Sequence, residues 1–168
     1  MDFFSFDQDI PAIVSPLKDA LGKFSPMLAD SSWGNLVFVA EGVRVGFYGY
    51  GFPLVKPIFQ TDGLKLASIM DIGLMKLDAL LSRASRKDFH DLYTICRKIP
   101  LRTMLDLAPE KYPYVRDFEA QVVRHMAYFE KAERETPVPL IEEVPWATVK
   151  EWFKSQALSI SQGWLANS

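Results

Sequence analysis

The chain has 168 residues, of which 49% are hydrophobic and 24% charged, and its formal net charge is −2 at pH 7. This length and apolar content predict a single compact domain over residues 1–168 with one sizeable core. Charges of both signs are scattered along the chain, which excludes a polyanion-binding face over the whole molecule and makes any nucleic-acid contact local.

The cellular setting is predicted from three features of the sequence. Cys96 is the one cysteine and cannot form an internal disulfide, as expected in a reducing compartment. No apolar stretch approaches the roughly 18 residues of a membrane span. The acidic start of the chain is unlike a signal peptide. We therefore expect a cytoplasmic protein without a membrane partner.

Residues 1–66 predict a small antiparallel or mixed sheet. Asp2–Phe6 is an aromatic run that could end a strand, and apolar residues at helical intervals predict a helix over Ile10–Phe24. After a polar break at Ala29–Gly34, the β-branched and aromatic runs Leu36–Ala40 and Val43–Tyr50 flank Glu41-Gly42 and predict a β-hairpin.

The sheet part ends in a segment with two prolines, Phe52–Phe59, which we expect to be an edge strand or an extended crossing. Residues 67–168 predict a mainly helical part, so the order of elements indicates an α+β fold. Helices are predicted from the capping box Ser68–Asp71 to Leu81, and then over the following ranges: Lys87–Arg97, Leu101–Leu107, Tyr114–Glu135 and from Trp146 to a frayed end. Thr136–Pro145 is expected to be an extended connector.

Two of these helices carry an unusual placement of charge, within Lys76–Tyr93. A lysine side chain leaving the first helix at Lys76 could reach a phosphate as a compact charge, and Arg83 follows seven residues later, on nearly the same face if the helix persists. Asp88 and Asp91 are three residues apart and therefore neighbours on the next helix. The stretch Ser82–Lys98 carries an excess of positive charge and could form an anion-binding corner.

Each residue of this stretch also has a simpler structural interpretation. A lysine in an amphipathic helix, such as Lys76, is more often a solvated group whose stem covers apolar surface. Asp88 at a helix start is favoured there by the helix dipole, and Asp91 with Arg83 or Lys87 is most simply a salt bridge. The chain has no glycine-rich phosphate loop of the Walker or dinucleotide type.

The joint order of these residues nevertheless resembles a known family. The segment LASIMDIGLMKLDALLSRASRKDFHDLYTI is similar to the most characteristic segment of the AbiEii/AbiGii toxin family of nucleotidyltransferases, in which a lysine-bearing helix precedes an arginine and a basic-Asp-aromatic-x-Asp-Leu motif. Matches at Asp2-Phe3-Phe4, in the predicted hairpin and in AYFEKAERETPVPLI with PWATVKEWF extend the resemblance over nearly the whole chain.

The resemblance implies a polymerase β-type nucleotidyltransferase fold and a toxin of a toxin–antitoxin system or a relative. Such an enzyme transfers a nucleotide from a nucleoside triphosphate to RNA or protein with Mg²⁺. By resemblance, Lys76 is the phosphate-contacting lysine and Asp88 the catalytic or substrate-positioning aspartate. Arg83 and Lys87 assist in phosphate binding, and Asp2 is the second member of the metal-binding aspartate pair.

The chain also departs from the family pattern. The glycine-rich turn and first aspartate of the family should precede Asp2, where only Met1 stands, and Gly46 occupies a position where a further acidic residue is often found. We therefore expect a truncated gene product, or a degenerate relative, with weak or no catalytic activity. Because a missing N-terminal strand would leave a sheet edge uncovered, we also expect a tendency to form homodimers.

A different class of function also fits the sequence. The chain could be a non-catalytic domain, derived from the same family, whose basic corner binds an antitoxin or RNA.

Overall fold

The computed structural model describes residues 1–5, 10–137 and 144–166, and it confirms the predicted α+β class. A four-stranded mixed sheet near the N-terminus is followed by a mainly helical part. The chain divides into two compact units, Met1–Pro53 and Leu54–Ser168. Within the described ranges, no helix combines the length and the apolar character needed to cross a membrane.

The N-terminal unit is built on the mixed sheet, whose strand order is β1-β4-β3-β2. Strand β1 is parallel to β4, and the other neighbouring pairs are antiparallel. The strands span the following ranges: β1 Asp2–Ser5, β2 Met27–Ser32, β3 Asn35–Ala40 and β4 Val43–Gly49.

The predicted hairpin is confirmed as β3 and β4. Its two turn residues, Glu41 and Gly42, both have positive φ, at 48° and 79°. A two-residue turn with two positive φ angles matches the twist of the flanking strands, so the sequence Glu41-Gly42 fixes the register of the pair. This places Ala40 opposite Val43 and Leu36 opposite Phe47.

The predicted helix over Ile10–Phe24 is interrupted. It comprises a 3₁₀ turn at Ile10–Ile13, helix α1 at Val14–Ala20 and a second 3₁₀ turn at Gly22–Phe24. Part of the predicted apolar face packs: Ile10, Val14, Leu17 and Leu21 cover the sheet residues Leu36 and Phe38, while Ile13 and Phe24 are exposed. A 3₁₀ turn and an α turn bring nearly the same residues to one face, so periodicity did not separate them.

The predicted polar break at Ala29–Gly34 is wrong, because most of it belongs to β2. All six residues of this strand are exposed. An edge strand of this kind is held by its backbone hydrogen bonds to β3 rather than by a buried side-chain face, and it therefore carries no apolar alternation.

The C-terminal unit begins with a short antiparallel hairpin and continues as six helices among the described residues. Only Phe59 of the proline-bearing segment Phe52–Phe59 enters a strand, and the rest has no regular structure. The elements span the following ranges: β5 Phe59–Thr61, β6 Leu64–Leu66, α2 Ile69–Ser82, α3 Arg86–Cys96, α4 Leu101–Lys111, α5 Phe118–Met126, α6 Glu130–Arg134 and α7 Trp146–Ala166.

The single helix predicted over Tyr114–Glu135 is wrong. It is two helices, α5 and α6, separated by Ala127–Phe129. The break turns Phe129 towards Phe89, with ring centroids 5.1 Å apart, and towards Trp146 at 5.8 Å. A buried aromatic contact of this kind stabilises the turn that the local sequence would not select.

Two other helix boundaries differ from prediction. Helix α4 continues past Pro109 to Lys111, and α7 continues to Ala166 where fraying was expected. The predicted connector Thr136–Pro145 lies largely outside the described residues.

Candidate functional site

Helices α2 and α3 begin with the same local device. Ser68 and Ser85 are the N-cap residues, and their hydroxyl oxygens accept the backbone N–H of Asp71 and Asp88 at 2.9 and 3.2 Å. Each hydroxyl also donates to the carboxylate of the same aspartate. The Ser-x-x-Asp spacing thus fixes both the helix start and the position of a carboxylate.

The carboxylate of Asp88 is the centre of a cluster formed by α2, the α2–α3 connection and α3. Its side chain is 1% exposed. Lys76 donates to Oδ1 from 3.0 Å, and Arg83 donates to both oxygens, from 2.7 Å at Nε and 2.8 Å at the terminal nitrogen. The Ser85 hydroxyl donates to Oδ2 from 2.6 Å. Both oxygens of Asp88 are therefore occupied by donors.

These donors keep Asp88 ionised. Burial by itself raises the pKa of the carboxyl group, but the hydrogen bonds from Arg83 and Ser85 and the charge of Lys76 outweigh it. The net result is a pKa well below the ordinary value for an aspartate. At neutral pH the group is a fixed negative charge that orients two cations.

Lys76 lies between two carboxylates. Its Nζ is 3.0 Å from Asp88 and 2.6 Å from Asp91, while Lys87 contacts Asp91 at 2.8 Å. Burial raises the pKa of Asp91, but Lys76 and Lys87 lower it by more, so this pKa is also below its usual value. The expected salt bridge of Asp91 with Lys87 is present, and Lys76 is the second partner.

The cluster has a solvent-facing side with a positive excess. Lys76, Arg83 and Lys87 supply three positive charges, and Asp88 and Asp91 two negative charges, which leaves one net positive charge. Arg83 and Lys87 are each 60% exposed, whereas Lys76 is 17% exposed. The four predicted site residues of this unit are thus brought together, and the exposed cations of Arg83 and Lys87 are accessible to an anion.

A second buried aspartate, Asp71, is paired with a lysine in a way that the sequence did not predict. Its Oδ1 accepts from Lys111 at 3.0 Å and from the backbone N–H of Val55 at 2.9 Å, and its Oδ2 accepts from Lys56 N–H at 3.2 Å. Asp71 and Lys111 are both 0% exposed. Burial raises the pKa of Asp71, and the hydrogen bonds from Val55, Ser68 and Lys111 lower it below its usual value. No solvent-borne ligand can reach this lysine, so the pair is structural.

A signal for the buried lysine is present in the sequence. Lys111 continues the helical spacing of the buried residues of α4, namely Leu101, Met104, Leu105 and Ala108. A lysine on the buried stripe of a helix requires a carboxylate partner.

The predicted metal ligand Asp2 lies in the N-terminal unit, on β1, and is exposed. Its register partner on β4 is Gly46. The ring of Tyr48 lies over Gly46, in the space that a Cβ at this position would enter. A side chain at position 46, including the acidic one expected by resemblance, is therefore excluded unless Tyr48 moves.

The expected Mg²⁺ ion has one predicted ligand in this chain, Asp2. Among residues 1–5, 10–137 and 144–166, no group of three or more His, Cys, Asp or Glu side chains is arranged to hold a metal ion. In the Asp88 cluster the carboxylate oxygens are bonded to Lys76, Arg83 and Ser85, so a divalent cation would have to displace these donors.

Comparison with known proteins adds one relative. The chain is 35% identical over 124 residues to an uncharacterized protein of Aquifex aeolicus (strain VF5), a match that covers 71% of this chain and 58% of the relative. The chain therefore spans less than two thirds of the length of that protein. No protein-family profile and no solved structure matches the chain.

Proposed function

We propose that this protein is a relative of the AbiEii/AbiGii nucleotidyltransferases and that Lys76, Arg83 and Lys87 bind the phosphates of a nucleoside triphosphate. The supporting observation is the convergence of Lys76 and Arg83 on the buried carboxylate of Asp88, at 3.0 and 2.7 Å. A carboxylate held in this way orients two cations before the ligand arrives, which reduces the entropy lost on binding. An exposed guanidinium and ammonium group then present donors to phosphate oxygens.

Asp88 acts in this proposal as a positioning residue. Its two oxygens accept four hydrogen bonds from side chains, and its low pKa makes it a weak proton acceptor. It is therefore poorly suited to remove a proton from an acceptor hydroxyl. Its contribution is to hold Lys76 and Arg83 in place against the phosphates, where their charges stabilise the pyrophosphate that leaves.

The expectation of Mg²⁺ comes from the family resemblance. When bound with substrate, the ion would neutralise charge on the triphosphate. Asp2 is the predicted ligand in this chain, and the exclusion of a carboxylate at position 46 by Tyr48 supports weak or absent transfer to RNA or protein.

The position of the Tyr48 ring over Gly46 also favours a second candidate function, a non-catalytic domain that binds RNA or a cognate antitoxin. The Tyr48 ring over Gly46 replaces the carboxylate that catalysis would need opposite Asp2. The two candidates differ in whether nucleotide binding is retained.

Isothermal titration of each of the four ribonucleoside triphosphates, with and without Mg²⁺, tests the proposal. We expect saturable binding that weakens about 10-fold or more in Lys76→Met and in Arg83→Gln, because a hydrogen bond to a charged group contributes roughly 1.5–3 kcal/mol. Lys131→Met, which removes an exposed lysine from α6, is the matched control and should bind as the unaltered chain does.

Circular dichroism must show that each variant is folded. Absence of binding to every triphosphate, or unchanged affinity in both Lys76→Met and Arg83→Gln, would overturn the proposal. RNA binding without any triphosphate affinity would instead support the non-catalytic domain.

A further inference from the structure

A groove lies between α5 and α7. It shares no lining residue with the Asp88 cluster and has no role in the proposed nucleotide site. Its volume is about 500 Å³. The walls are formed by small and apolar side chains from both helices, including Ala120, Val123, Ala127, Ala157 and Leu158. At one point of the groove Trp164 donates its indole N–H to Glu119 at 3.2 Å, which places the end of α7 beside the start of α5.

The groove continues into an apolar stripe on the last turns of α7. Leu158 is 61% exposed and Leu165 is 79% exposed, and the two residues are seven positions apart, on one face of the helix. None of the described residues 158–166 is buried. A helix end with so little burial is marginal in water, since most helix stability in proteins comes from packing of an apolar face. The exposed stripe indicates that another surface packs here.

The charges around the groove identify the kind of surface. The described lining residues include two cations, Arg124 on α5 and Lys154 on α7, and no acidic side chain. Arg124 makes no ion pair within the described parts of the chain, while Lys154 contacts Glu151 at 2.8 Å in an exposed pair. Exposed pairs of this type are weak and exchange readily with another carboxylate.

We propose that the α5–α7 groove binds an amphipathic helix of a partner protein, with its apolar side chains against Ala157 and Leu158 and its flanking carboxylates against Arg124 and Lys154. Helices that bind in grooves use apolar anchors at intervals of three and four residues, which suit a groove running between two helices. Carboxylates of the partner opposite the cations of the two rims fix the register and favour acidic over basic partners. The end of α7 from a second copy of this chain fits less well, because residues 155–166 carry no charged side chain.

Fluorescence anisotropy with two labelled synthetic peptides tests the proposal on the full chain. Both peptides are amphipathic helices of about 18 residues with the same leucine stripe, long enough to be partly helical alone. One has glutamates beside the stripe and the other has lysines. We expect the glutamate peptide to bind about 5- to 10-fold more tightly, the ratio that two exposed ion pairs provide.

Four variants make the test specific. Arg124→Glu with Lys154→Glu should reverse the preference, and Leu158→Asp should abolish binding of both peptides. Lys131→Glu, a charge reversal on α6, should leave binding unchanged, and so should Lys76→Met, which separates this proposal from the nucleotide site.

Equal affinity for the two peptides, or no binding of either, would overturn the proposal. It would also be overturned if light scattering showed a dimer of the unaltered chain that Leu158→Asp converts to a monomer, because the groove would then be filled by a second copy.

Discussion

Replacing Asp88 by asparagine removes one negative charge from the centre of the cluster while keeping the shape of the side chain. The buried group is 1% exposed, and it holds Lys76 at 3.0 Å and Arg83 at 2.7 Å. Loss of one partner from a fully buried ion pair costs about 3–5 kcal/mol. Because Arg83 is 60% exposed and Lys76 retains Asp91, we expect a smaller loss of about 2–3 kcal/mol in the free energy of unfolding.

Urea denaturation followed by tryptophan fluorescence measures this loss directly. A chain of this size should also melt roughly 4–12 °C lower, at about 2–4 °C per kcal/mol. The matched control is Asp106→Asn, which breaks an exposed pair between Asp106 and Arg102 on one helix and should cost less than about 0.5 kcal/mol. A loss in Asp88→Asn no larger than in this control would refute the reasoning.

The pH dependence of the stability loss in Asp88→Asn provides a second readout. Because the folded-state pKa of Asp88 lies below its unfolded value of about 3.9, its contribution is complete above the unfolded pKa and is lost as the pH falls towards the folded pKa. The difference in unfolding free energy between the unaltered chain and Asp88→Asn should be constant from about pH 7 to 5 and shrink below about pH 4. A difference that instead grew with acidity would contradict the assignment.

Three further predictions concern other parts of the chain. Lys111→Met should lower the free energy of unfolding, measured by urea denaturation, by about 3–5 kcal/mol, because it leaves the buried Asp71 without its lysine partner. The triphosphate affinity of the folded fraction should be unchanged. A loss below about 1 kcal/mol would contradict the buried pair. Gly46→Ala should lower the free energy of unfolding by about 1–3 kcal/mol, because the new Cβ enters the space of the Tyr48 ring. Adding Tyr48→Ala to this variant should recover part of the loss. Equal melting temperatures of Gly46→Ala and the parent would be inconsistent with that contact. Burial raises the pKa of Cys96 to about 12, so iodoacetamide should label this thiol slowly at pH 8 and rapidly in urea, as mass spectrometry would show; fast labelling of the folded chain would be the contrary result.

Local sequence signals predicted the elements that local chemistry stabilises. The Glu41-Gly42 turn predicted β3 and β4, since a two-residue turn with positive φ angles selects the pairing by itself. Ser68 and Asp71 predicted the start of α2 through a capping box that spans three residues. The Asp62-Gly63 turn carries the same kind of signal for β5 and β6, and both of its residues have positive φ.

Elements that depend on distant partners were missed. Strand β2 has no apolar alternation because all of its residues are exposed and its support comes from the backbone of β3. The break between α5 and α6 depends on the contact of Phe129 with Phe89 in α3. These two residues are too far apart in the sequence for local periodicity to detect their contact.

For the candidate site, the sequence by itself determined which residues carry charge and that Asp88 lies at the start of a helix, because spacing along one helix is a local property. It also predicted that Lys76, Arg83, Lys87 and Asp88 act together, through a resemblance in their order. Only the tertiary structure decided that Lys76 bridges Asp88 and Asp91, that Lys111 is buried on Asp71, and that Tyr48 covers Gly46. Each of these contacts joins residues through the packing of whole side chains, and burial, which sets their energies, is a property of the folded chain rather than of any segment.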